Sequence, residues 1–530
     1  MSGRDVGRAR PVDVSRRSFL RGAGTSLLGA GAVAATQGTG VVAAHLAPAA
    51  AAAPVEVQSG TNFGRIFSDL PPFAEASDAL REALVDVGRP GGILDAADNL
   101  AAGPIQLILD PALSLNNPDN QTHTAGTTFL GQFIDHDLTF DATSPLGVPT
   151  DPAGSPNQRT SFFDLDSVYG GGPTASPALY EADRTKLRIE SGGLFEDVPR
   201  DGNNRAIIGD PRNDEHIIIA GMHAAFIKFH NAVVDLVVDE GNTLPSLVFT
   251  EARRRAIWHY QWIVLREFLP QIVGQTLVND ILRNGRRFYR PSGASFIPVE
   301  FQGAAYRFGH SQVRPSYRAN LAGDNGGPFF GMIFDPAGEG QADPVDFRGG
   351  ARAPRRFIGW QTFFDFGDGE VKRNKRIDAR VSTPLFTLPL GAIPSADPPT
   401  SLAARNLLRH ITWSLPSGQD IARRMRVTPL AAGDLSELAG YGLGLDTSTP
   451  LWFYILKEAQ LVTDGLTLGP VGGRIVAEVF IGLLQRDPRS FLTRLFWRPN
   501  LPRFGGGRTG DFRMVDLLAF AGVDPASRGQ

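Results

Sequence analysis

A short stretch near residue 131 concentrates side chains that can move protons and bind metals. Residues 131–137 read Gly-Gln-Phe-Ile-Asp-His-Asp and follow the run Thr-Thr-Phe-Leu. On an α-helix Gln132, Asp135 and His136 share one face because they are three and four residues apart, whereas Asp137 is turned away by about 100°. One face therefore offers a base beside a carboxylate, and another offers an anion. A buried histidine held by two carboxylates would contain the same residues, so this stretch alone leaves both interpretations open.

Three further pairs of polar residues are also spaced to lie together on helices. A separation of three residues recurs in Arg212 and Glu215, in Arg307 and His310, and in Asn406 and Arg409. Residues 209–215 carry a proline and acidic side chains as in the first turn of a helix, which predicts a long helix beginning near His216. By itself the first pair is typical of a surface salt bridge at a helix start. The other two pairs are equally unspecific when taken singly.

Together and in this order, these motifs resemble the animal-type haem peroxidases of the peroxidase–cyclooxygenase superfamily. The resemblance runs from about Gly131 to Leu484, and five separated motifs agree with the family in order and internal spacing. It implies haem b as the cofactor, hydrogen peroxide as the oxidant and a small molecule as the electron donor. Taken with the N-terminal residues described below, the chain is identified as an exported, bacterial member of the family.

On the distal side of the haem, the resemblance assigns three catalytic residues. His136 takes a proton from hydrogen peroxide, Arg212 stabilises the negative charge that develops as the O–O bond breaks, and Gln132 accompanies them. The chemistry requires such a set, because one group must carry a proton between the two oxygens while a fixed cation holds the leaving charge. A histidine and an arginine on separate rigid helices supply both functions.

On the proximal side, the resemblance assigns His310 as the iron ligand. Asn406 then hydrogen-bonds to the His310 ring and raises its basicity. Arg307 and Arg409 are placed to pair with the haem propionates.

Two carboxylates match family positions that form ester bonds to haem methyl groups, namely Asp135 and Glu215. The residue after Glu215 is His216, where chlorinating members of the family have a methionine that adds a sulfonium link. That link cannot form here, which argues against efficient oxidation of chloride. Iodide, bromide, thiocyanate and phenolic or other small aromatic donors remain as the expected substrates.

Residues 160–166, Thr-Ser-Phe-Phe-Asp-Leu-Asp, resemble the calcium loop of the same family. Oxygen ligands at alternate positions of a loop, joined by an acid from a helix, suit Ca²⁺. The resemblance gives Asp137, Thr160, the Phe162 carbonyl, Asp164 and Asp166 as ligands. Asp166 stands where the family commonly has serine, and the additional anionic oxygen is expected to tighten the site. A threonine-capped acidic turn without metal is the alternative.

Histidines outside these motifs are expected to be structural. His223 and His230 are seven residues apart on one helical face, but no third metal ligand accompanies them. His259 and His410 are expected to be hydrogen-bonded residues of the core and of a helix end.

The N-terminus resembles a twin-arginine export signal. Arg16 and Arg17 precede Ser-Phe-Leu, a weakly apolar run rich in glycine and alanine, and a cluster of small residues that ends at Ala53. The glycines dilute this run below the apolar content of a membrane-spanning helix. We therefore expect residues 1–53 to engage the twin-arginine export machinery, residues 54–530 to form the haem peroxidase domain, and the mature protein to be extracellular or periplasmic.

The composition excludes several classes of protein. The chain has 530 residues and no cysteine, so disulfides, thiolate metal sites and iron–sulfur clusters are excluded. The net charge of −3 gives no basic surface for nucleic acid. Nothing in the sequence indicates the oligomeric state.

Helical periodicity dominates the pattern of apolar residues. Apolar side chains recur at spacings of three and four in residues 216–237, 253–268, 403–413, 451–461 and 472–484. A short strand is expected around residues 193–195, but no alternation of strands and helices indicates a parallel sheet. The predicted fold is mainly α, a single large helical haem peroxidase domain with long loops and few short strands.

Two other functions fit parts of the pattern. A fatty-acid dioxygenase of the same superfamily uses a tyrosine three residues before the proximal histidine, where this chain has Arg307. The nearby Tyr306 is one residue off, which is about 100° on a helix, so it is expected to miss that geometry. A non-catalytic haem- and calcium-binding extracellular protein would have no need of both His136 and Arg212. The sequence therefore favours a secreted haem peroxidase.

Overall fold

The structure is a computed structural model, and it describes residues 61–191, 195–323, 326–341, 343–393, 397–506, 510–528 and 530. The predicted export signal, residues 1–53, lies outside the described residues, as does Gly193 in the expected strand.

The described chain is mainly helical, as the periodicity predicts, with about 47% of residues in helices. The α-helices are α1 (Asp78–Val87), α2 (Gly103–Leu109), α3 (Gly126–Leu138), α4 (Asp166–Tyr169), α5 (Gly172–Ala175), α6 (Ile217–Asp239), α7 (Pro245–Ile263), α8 (Leu269–Val273), α9 (Gln275–Asn284), α10 (Val299–Gln302), α11 (Gly309–Gln312), α12 (Leu402–Thr412), α13 (Gly418–Met425), α14 (Leu451–Val462), α15 (Pro470–Arg486) and α16 (Met514–Phe520).

Short antiparallel strand pairs make up the remaining regular structure. The strands are β1 (Asp119–Thr124), β2 (Glu190–Ser191), β3 (Glu196–Asp197), β4 (Ser316–Arg318), β5 (Phe330–Met332) and β6 (Arg373–Lys375). They pair as β1 with β6, β2 with β3 and β4 with β5, each as a separate two-stranded sheet. Among the described residues no parallel sheet occurs, in agreement with the sequence.

Helix α6 is the central element of the core. His216 is its N-cap, and its Nδ1 accepts a hydrogen bond from the Ile219 N–H at 3.2 Å. By length and composition α6 is apolar enough to cross a membrane, yet 83% of its most apolar window is buried inside the protein. Its hydrophobicity is therefore that of a core helix, which packs against α3 and α7.

Helix α3 carries the 131–137 motif and is closely packed at its start and near its middle. A Cβ atom on Gly126 would lie 2.5 Å from the Phe364 ring, so the helix can start against this ring only with glycine there. Near its middle, Gly131 faces the ring of Phe268 in a π-helical turn, Val264–Phe268, that follows α7. Pro270 lacks the N–H that would continue the regular ladder, which explains the widened turn before it.

Two local predictions need correction. Residues 209–215 do not form the first turn of α6, because Pro211–Asp214 is a separate 3₁₀ turn and His216 is extended (φ −152°, ψ 162°). Arg307 and His310 likewise do not share one regular helix, since a 3₁₀ turn, Ala305–Phe308, precedes the short helix α11. In both places the regular helix is interrupted, and the polar residues lie next to α3.

Candidate active site

One cavity collects the predicted site residues from four separate parts of the chain. It is bounded by α3, the 3₁₀ turn before α6, the segment 306–313 and α12. The predicted residues that line it are Gln132, Asp135, His136, Arg212, Glu215, Arg307, His310 and Arg409. Asn406 lies behind His310 and contacts the cavity through that ring. The sequence-based roles of these residues stay predictions, but the residues do lie together.

His136 is the base on the α3 side of the cavity. Its side chain is 4% exposed, and its Nδ1 lies 2.8 Å from Oδ1 of Asn213. Burial, with a smaller effect of the nearby Arg212 charge, lowers the pKa of His136 to about 3. The ring is therefore neutral near pH 7 and can accept a proton.

Arg212 is held by a buried carboxylate that the sequence analysis did not identify. Its Nε and Nη2 donate to the two oxygens of Asp210 at 3.0 and 2.7 Å, and Nη2 also donates to the His136 carbonyl at 3.2 Å. The guanidinium carbon lies 4.4 Å from the centre of the Phe140 ring. Beside Arg212, the pKa of Asp210 stays well below its usual range even though burial opposes this. Arg212 is thus a fixed cation, and the expected surface pair with Glu215 does not form.

The second nitrogen of the Arg212 fork points toward Asp135, with Nη1 3.9 Å from Oδ2. The Asp135 side chain keeps 35% exposure because it faces the open cavity. Burial in the protein raises the pKa of Asp135, and Arg212 partly offsets this effect.

Gln132 is clamped between two neighbours from the segment before α6. Nε2 of His216 lies 2.8 Å from Gln132 Oε1, and Gln132 Nε2 donates to Glu215 at 3.2 Å. Since His216 Nδ1 accepts the Ile219 N–H, the ring proton sits on Nε2 and donates to Gln132. Burial raises the pKa of Glu215 to about 8, opposed by Arg212. The sequence analysis noted only that His216 stands where chlorinating members of the resembled family have methionine. It did not predict the contact with Gln132.

His310 lines the cavity from α11, and burial lowers its pKa to about 3. Its Nδ1 lies 2.7 Å from Nδ2 of Asn406, whose Oδ1 accepts from Arg307 Nη1 at 2.9 Å. In this arrangement the amide donates to His310, so the ring proton sits on Nε2. An imidazole that binds iron through Nε2 needs the proton on Nδ1, so the amide must turn its oxygen to the ring when metal is bound.

Arginines form a cationic edge on the α12 side of the cavity. Arg307, Arg405 and Arg409 all line it, and Arg405 is a member that the sequence analysis did not single out. Burial, followed by repulsion from Arg409, lowers the pKa of Arg307 to about 10. Arg409 is paired with the buried Asp141 at 2.7 Å. Guanidinium groups crowded at one edge are suited to a ligand with carboxylates.

The donor set fits haem. The other walls are apolar and include Phe268, Phe308, Ile333, Phe334, Leu385 and Leu388. The apolar walls suit the flat macrocycle of haem, and the arginine edge suits its two carboxylates. The two histidines suit an iron that would take one imidazole as a ligand and react with substrate near the other.

Comparison with known proteins agrees with this geometry. Residues 144–328 match the family model described as animal haem peroxidase. This segment is about a third of the chain, and it is similar to that family. The matched segment contains Arg212, Glu215 and His310, and it begins after His136 and ends before Asn406. The motifs that contain His136 and Asn406 lie outside this segment in the sequence, but the folded chain brings them next to it.

Similar proteins match different shares of this chain. A human protein named "Probable oxidoreductase PXDNL" is 28% identical over 219 residues, which is 36% of this chain and 15% of the human protein. Peroxidase A from Dictyostelium discoideum has a TM-score of 0.56 at 17% identity, over 82% of this chain and 88% of that one. A fatty acid α-dioxygenase from Arabidopsis thaliana has a TM-score of 0.54 at 16% identity, over 81% and 73%. The two structures show a shared fold.

A carboxylate cluster lies behind α3. Oxygen atoms of Asp137, Asp164 and Asp166 lie within 4.8 Å of one another. Thr160 Oγ1 donates to Asp164 at 2.7 Å, and Oδ1 of Asp137 has no hydrogen-bond partner among the described residues. Burial and mutual repulsion raise the pKa of Asp137 well above its ordinary value and that of Asp166 to about 7. Phe162 lies in the same turn, with its ring beneath the Arg489 guanidinium.

The remaining histidines make ordinary hydrogen bonds in the core. His230 contacts the Tyr169 hydroxyl and the Thr185 carbonyl, and His259 contacts the Arg255 carbonyl. His410 accepts from the Trp452 N–H at the end of α12. His223 differs from these because it bonds to Asn213 beside the cavity.

Proposed function

We propose that this protein is a haem-dependent peroxidase that reduces hydrogen peroxide and oxidises iodide, bromide, thiocyanate or small aromatic donors. The observation that carries the proposal is that His136, Arg212 and His310 line one cavity whose other walls are largely apolar. When bound, haem supplies the redox-active iron at which peroxide and donor exchange electrons. Overall, hydrogen peroxide takes up two electrons and two protons to give two water molecules.

The chain's own residues would hold haem b in the cavity. His310 would be the iron ligand, and Asn406 Oδ1 would accept a hydrogen bond from its Nδ1–H once the amide has turned. Arg307 and Arg409 would pair with the propionates, which releases Arg307 from Asn406. Asp135 and Glu215 would be the sites of ester attachment, and both line the cavity as that role requires.

Cleavage of the peroxide rests on His136 and Arg212. His136 takes the proton from the inner oxygen and returns it to the outer oxygen as that oxygen leaves as water. Arg212 lowers the cost of the charge that develops on the leaving oxygen, and its pairing with Asp210 keeps it in place. Gln132, clamped by His216 and Glu215, presents a fixed amide beside them.

The donor is proposed to be small and more easily oxidised than chloride. His216 occupies the position after Glu215, and its imidazole is committed to the α6 N-cap and to Gln132. No thioether is available there for an additional haem link.

Calcium is proposed to bind at the carboxylate cluster behind α3, with Asp137, Thr160, the Phe162 carbonyl, Asp164 and Asp166 as ligands. Carboxylates that repel one another in a buried site are stabilised by a divalent cation. The partly unpaired oxygens of Asp137 and Asp166 support this assignment.

Residues 1–53 are proposed to direct export by the twin-arginine route, with residues 54–530 as the haem peroxidase domain. The site of action would be extracellular or periplasmic. No role for nucleic acid is proposed.

The experiment that tests the function is a haem titration of the mature protein, followed by turnover assays with hydrogen peroxide and each donor. The proposal predicts one haem per chain and peroxide-dependent oxidation of iodide, bromide, thiocyanate or a phenol, with chloride oxidised poorly. Haem binding with oxygen uptake on fatty acids alone would indicate the dioxygenase. Haem binding without either activity would indicate a non-catalytic protein, and absence of haem binding would refute the proposal.

A further inference from the structure

Asn213 lies between two buried histidines at the edge of the cavity. Its Oδ1 is 2.8 Å from Nδ1 of His136, and its Nδ2 is 2.9 Å from Nδ1 of His223. The three side chains are sealed from solvent, with exposures of 0% for Asn213, 4% for His136 and 1% for His223. One carboxamide therefore bridges α3 and α6.

The chemistry of the amide determines the protonation of both rings. An amide oxygen only accepts a hydrogen bond, and an amide nitrogen only donates. His136 must therefore carry its proton on Nδ1, whereas Nδ1 of His223 must be unprotonated. Both rings are buried, which favours their neutral forms. Each ring then has one proton, and the two rings adopt opposite tautomers.

We propose that Asn213 is a positioning residue that fixes the distal base His136 as the Nδ1–H tautomer, with its lone pair on Nε2 directed to the cavity, and that His223 anchors the amide. This inference rests on the proposed function and adds two residues to it. Among the described residues, no side chain or backbone group hydrogen-bonds to Nε2 of His136, so this nitrogen is available for peroxide.

The turn that carries Asn213 is itself rigid. Asp210 caps it by accepting from the Arg212 N–H at 2.9 Å, and the Asn213 N–H donates to the Asp210 carbonyl at 3.1 Å. The same turn therefore delivers two adjacent residues to the distal side. Arg212 provides the charge, and Asn213 sets the tautomer of the base.

His223 supplies the reason for the amide's orientation. It lies in the second turn of α6, on the buried core helix, so its ring stays in place with Nδ1 2.9 Å from Asn213 Nδ2. With the amide reversed, its nitrogen would face His136, the His136 proton would move to Nε2, and that nitrogen would have no lone pair to offer the cavity. A mutation at either end of the bridge should therefore change the tautomer of His136.

The proposal is tested by ¹⁵N NMR of histidine-labelled mature protein, with and without haem supplied. In the haem-free sample, long-range ¹H–¹⁵N correlations report which ring nitrogen is protonated, and His136→Gln and His223→Gln assign the two signals. We expect Nδ1–H for His136 and Nε2–H for His223. Asn213→Leu should give a tautomer mixture at His136, whereas Asn213→Asp, which keeps an acceptor, should retain Nδ1–H.

The haem-loaded variants provide the second readout. Asn213→Leu should slow the peroxide-induced Soret change about tenfold or more, because only part of the His136 population is a competent base, and Asn213→Asp should recover most of the rate. Asn231→Leu is the matched control, since Asn231 also uses both ends of its amide, on the backbone of Leu187 at 2.8 and 2.8 Å. It should leave the tautomer and the rate unchanged.

A wild-type His136 protonated on Nε2 would overturn the proposal, as would an unchanged tautomer in Asn213→Leu. A wild-type protein with the expected tautomers but no reaction with peroxide would refute the proposed function while supporting tautomer selection by Asn213.

Discussion

His136 and Asp137 are consecutive residues of α3 whose side chains lie in two different sites. His136 lines the cavity, whereas Asp137 lies in the carboxylate cluster with Asp164 and Asp166. The helical step of about 100° separates the two side chains. An ion bound in the cluster would therefore be attached to the same helix that carries His136.

Calcium should stabilise the protein more at pH 8 than at pH 5. In the metal-free protein the pKa of Asp166 is raised to about 7, above its value in the unfolded chain, so ionisation destabilises the fold as pH rises through this range. Calcium removes that repulsion, and at a hundredfold excess over Kd it adds about 3 kcal/mol. Thermal unfolding in chelator and in calcium at both pH values measures the difference.

Asp137→Asn is the control for that prediction, because it removes one charge and one ligand from the cluster. It should abolish the calcium-dependent rise in Tm. Stabilisation by calcium that is equal in the variant and the wild type would remove this cluster as the site.

Arg212→Ala should raise the activation free energy of peroxide cleavage by about 3 kcal/mol, while haem still binds. The substitution also removes one of the two arginines paired with the buried Asp210 and leaves Arg159, 3.2 Å away, as the other. Folding stability should therefore fall by less than the roughly 3–5 kcal/mol that a buried charge without any partner costs. The double variant Asp210→Asn with Arg212→Gln removes both charges and should recover much of the stability but not the rate. Urea unfolding and stopped-flow absorption separate the two effects, and recovery of the rate in the double variant would exclude Arg212 from the mechanism.

His310→Ala should leave haem weakly bound and the iron without its protein ligand. The neighbouring Arg307 and Arg409 should still attract the propionates, so some haem is retained with an altered Soret band. Haem content and the absorption spectrum measure this. A normal spectrum at full haem content would contradict the proximal assignment, and Asn406→Leu should perturb the spectrum without loss of haem.

Tyr306→Phe should leave the peroxidase reaction intact. Tyr306 lines the cavity, and its hydroxyl donates to the Gly131 carbonyl at 3.1 Å while its ring stacks on Phe301 at 4.7 Å. The variant should lose about 1 kcal/mol of stability from the missing hydrogen bond. Loss of a fatty-acid oxygenase activity in this variant, with peroxide turnover of donors absent from the wild type, would favour the dioxygenase.

The sequence predicted elements and shared faces better than it predicted partners. The helical period placed α6, α12, α14 and α15 close to their observed bounds. It also separated Asp137 from the face that carries His136, since both facts depend only on local geometry.

Contacts between distant segments were beyond such reasoning. Asp210 appeared only as part of a helix start, although an Asp before Pro211 is typical of a capped turn. Its ion pair with Arg212, and the bridge from Asn213 to His136 and His223, depend on how the turn approaches α3 and α6 in the folded chain. The spacing of residues within one sequence does not indicate how this turn packs against the two helices.

The most direct test of the central claim is the reaction of the haem-loaded protein with one equivalent of hydrogen peroxide, followed at the Soret band in the wild type and in His136→Leu. The account predicts a rapid change in the wild type that iodide, bromide or thiocyanate reverses, and a change at least about a hundredfold slower in the variant at the same haem content. Equal rates in the two proteins, or no spectral change in the wild type, would contradict it.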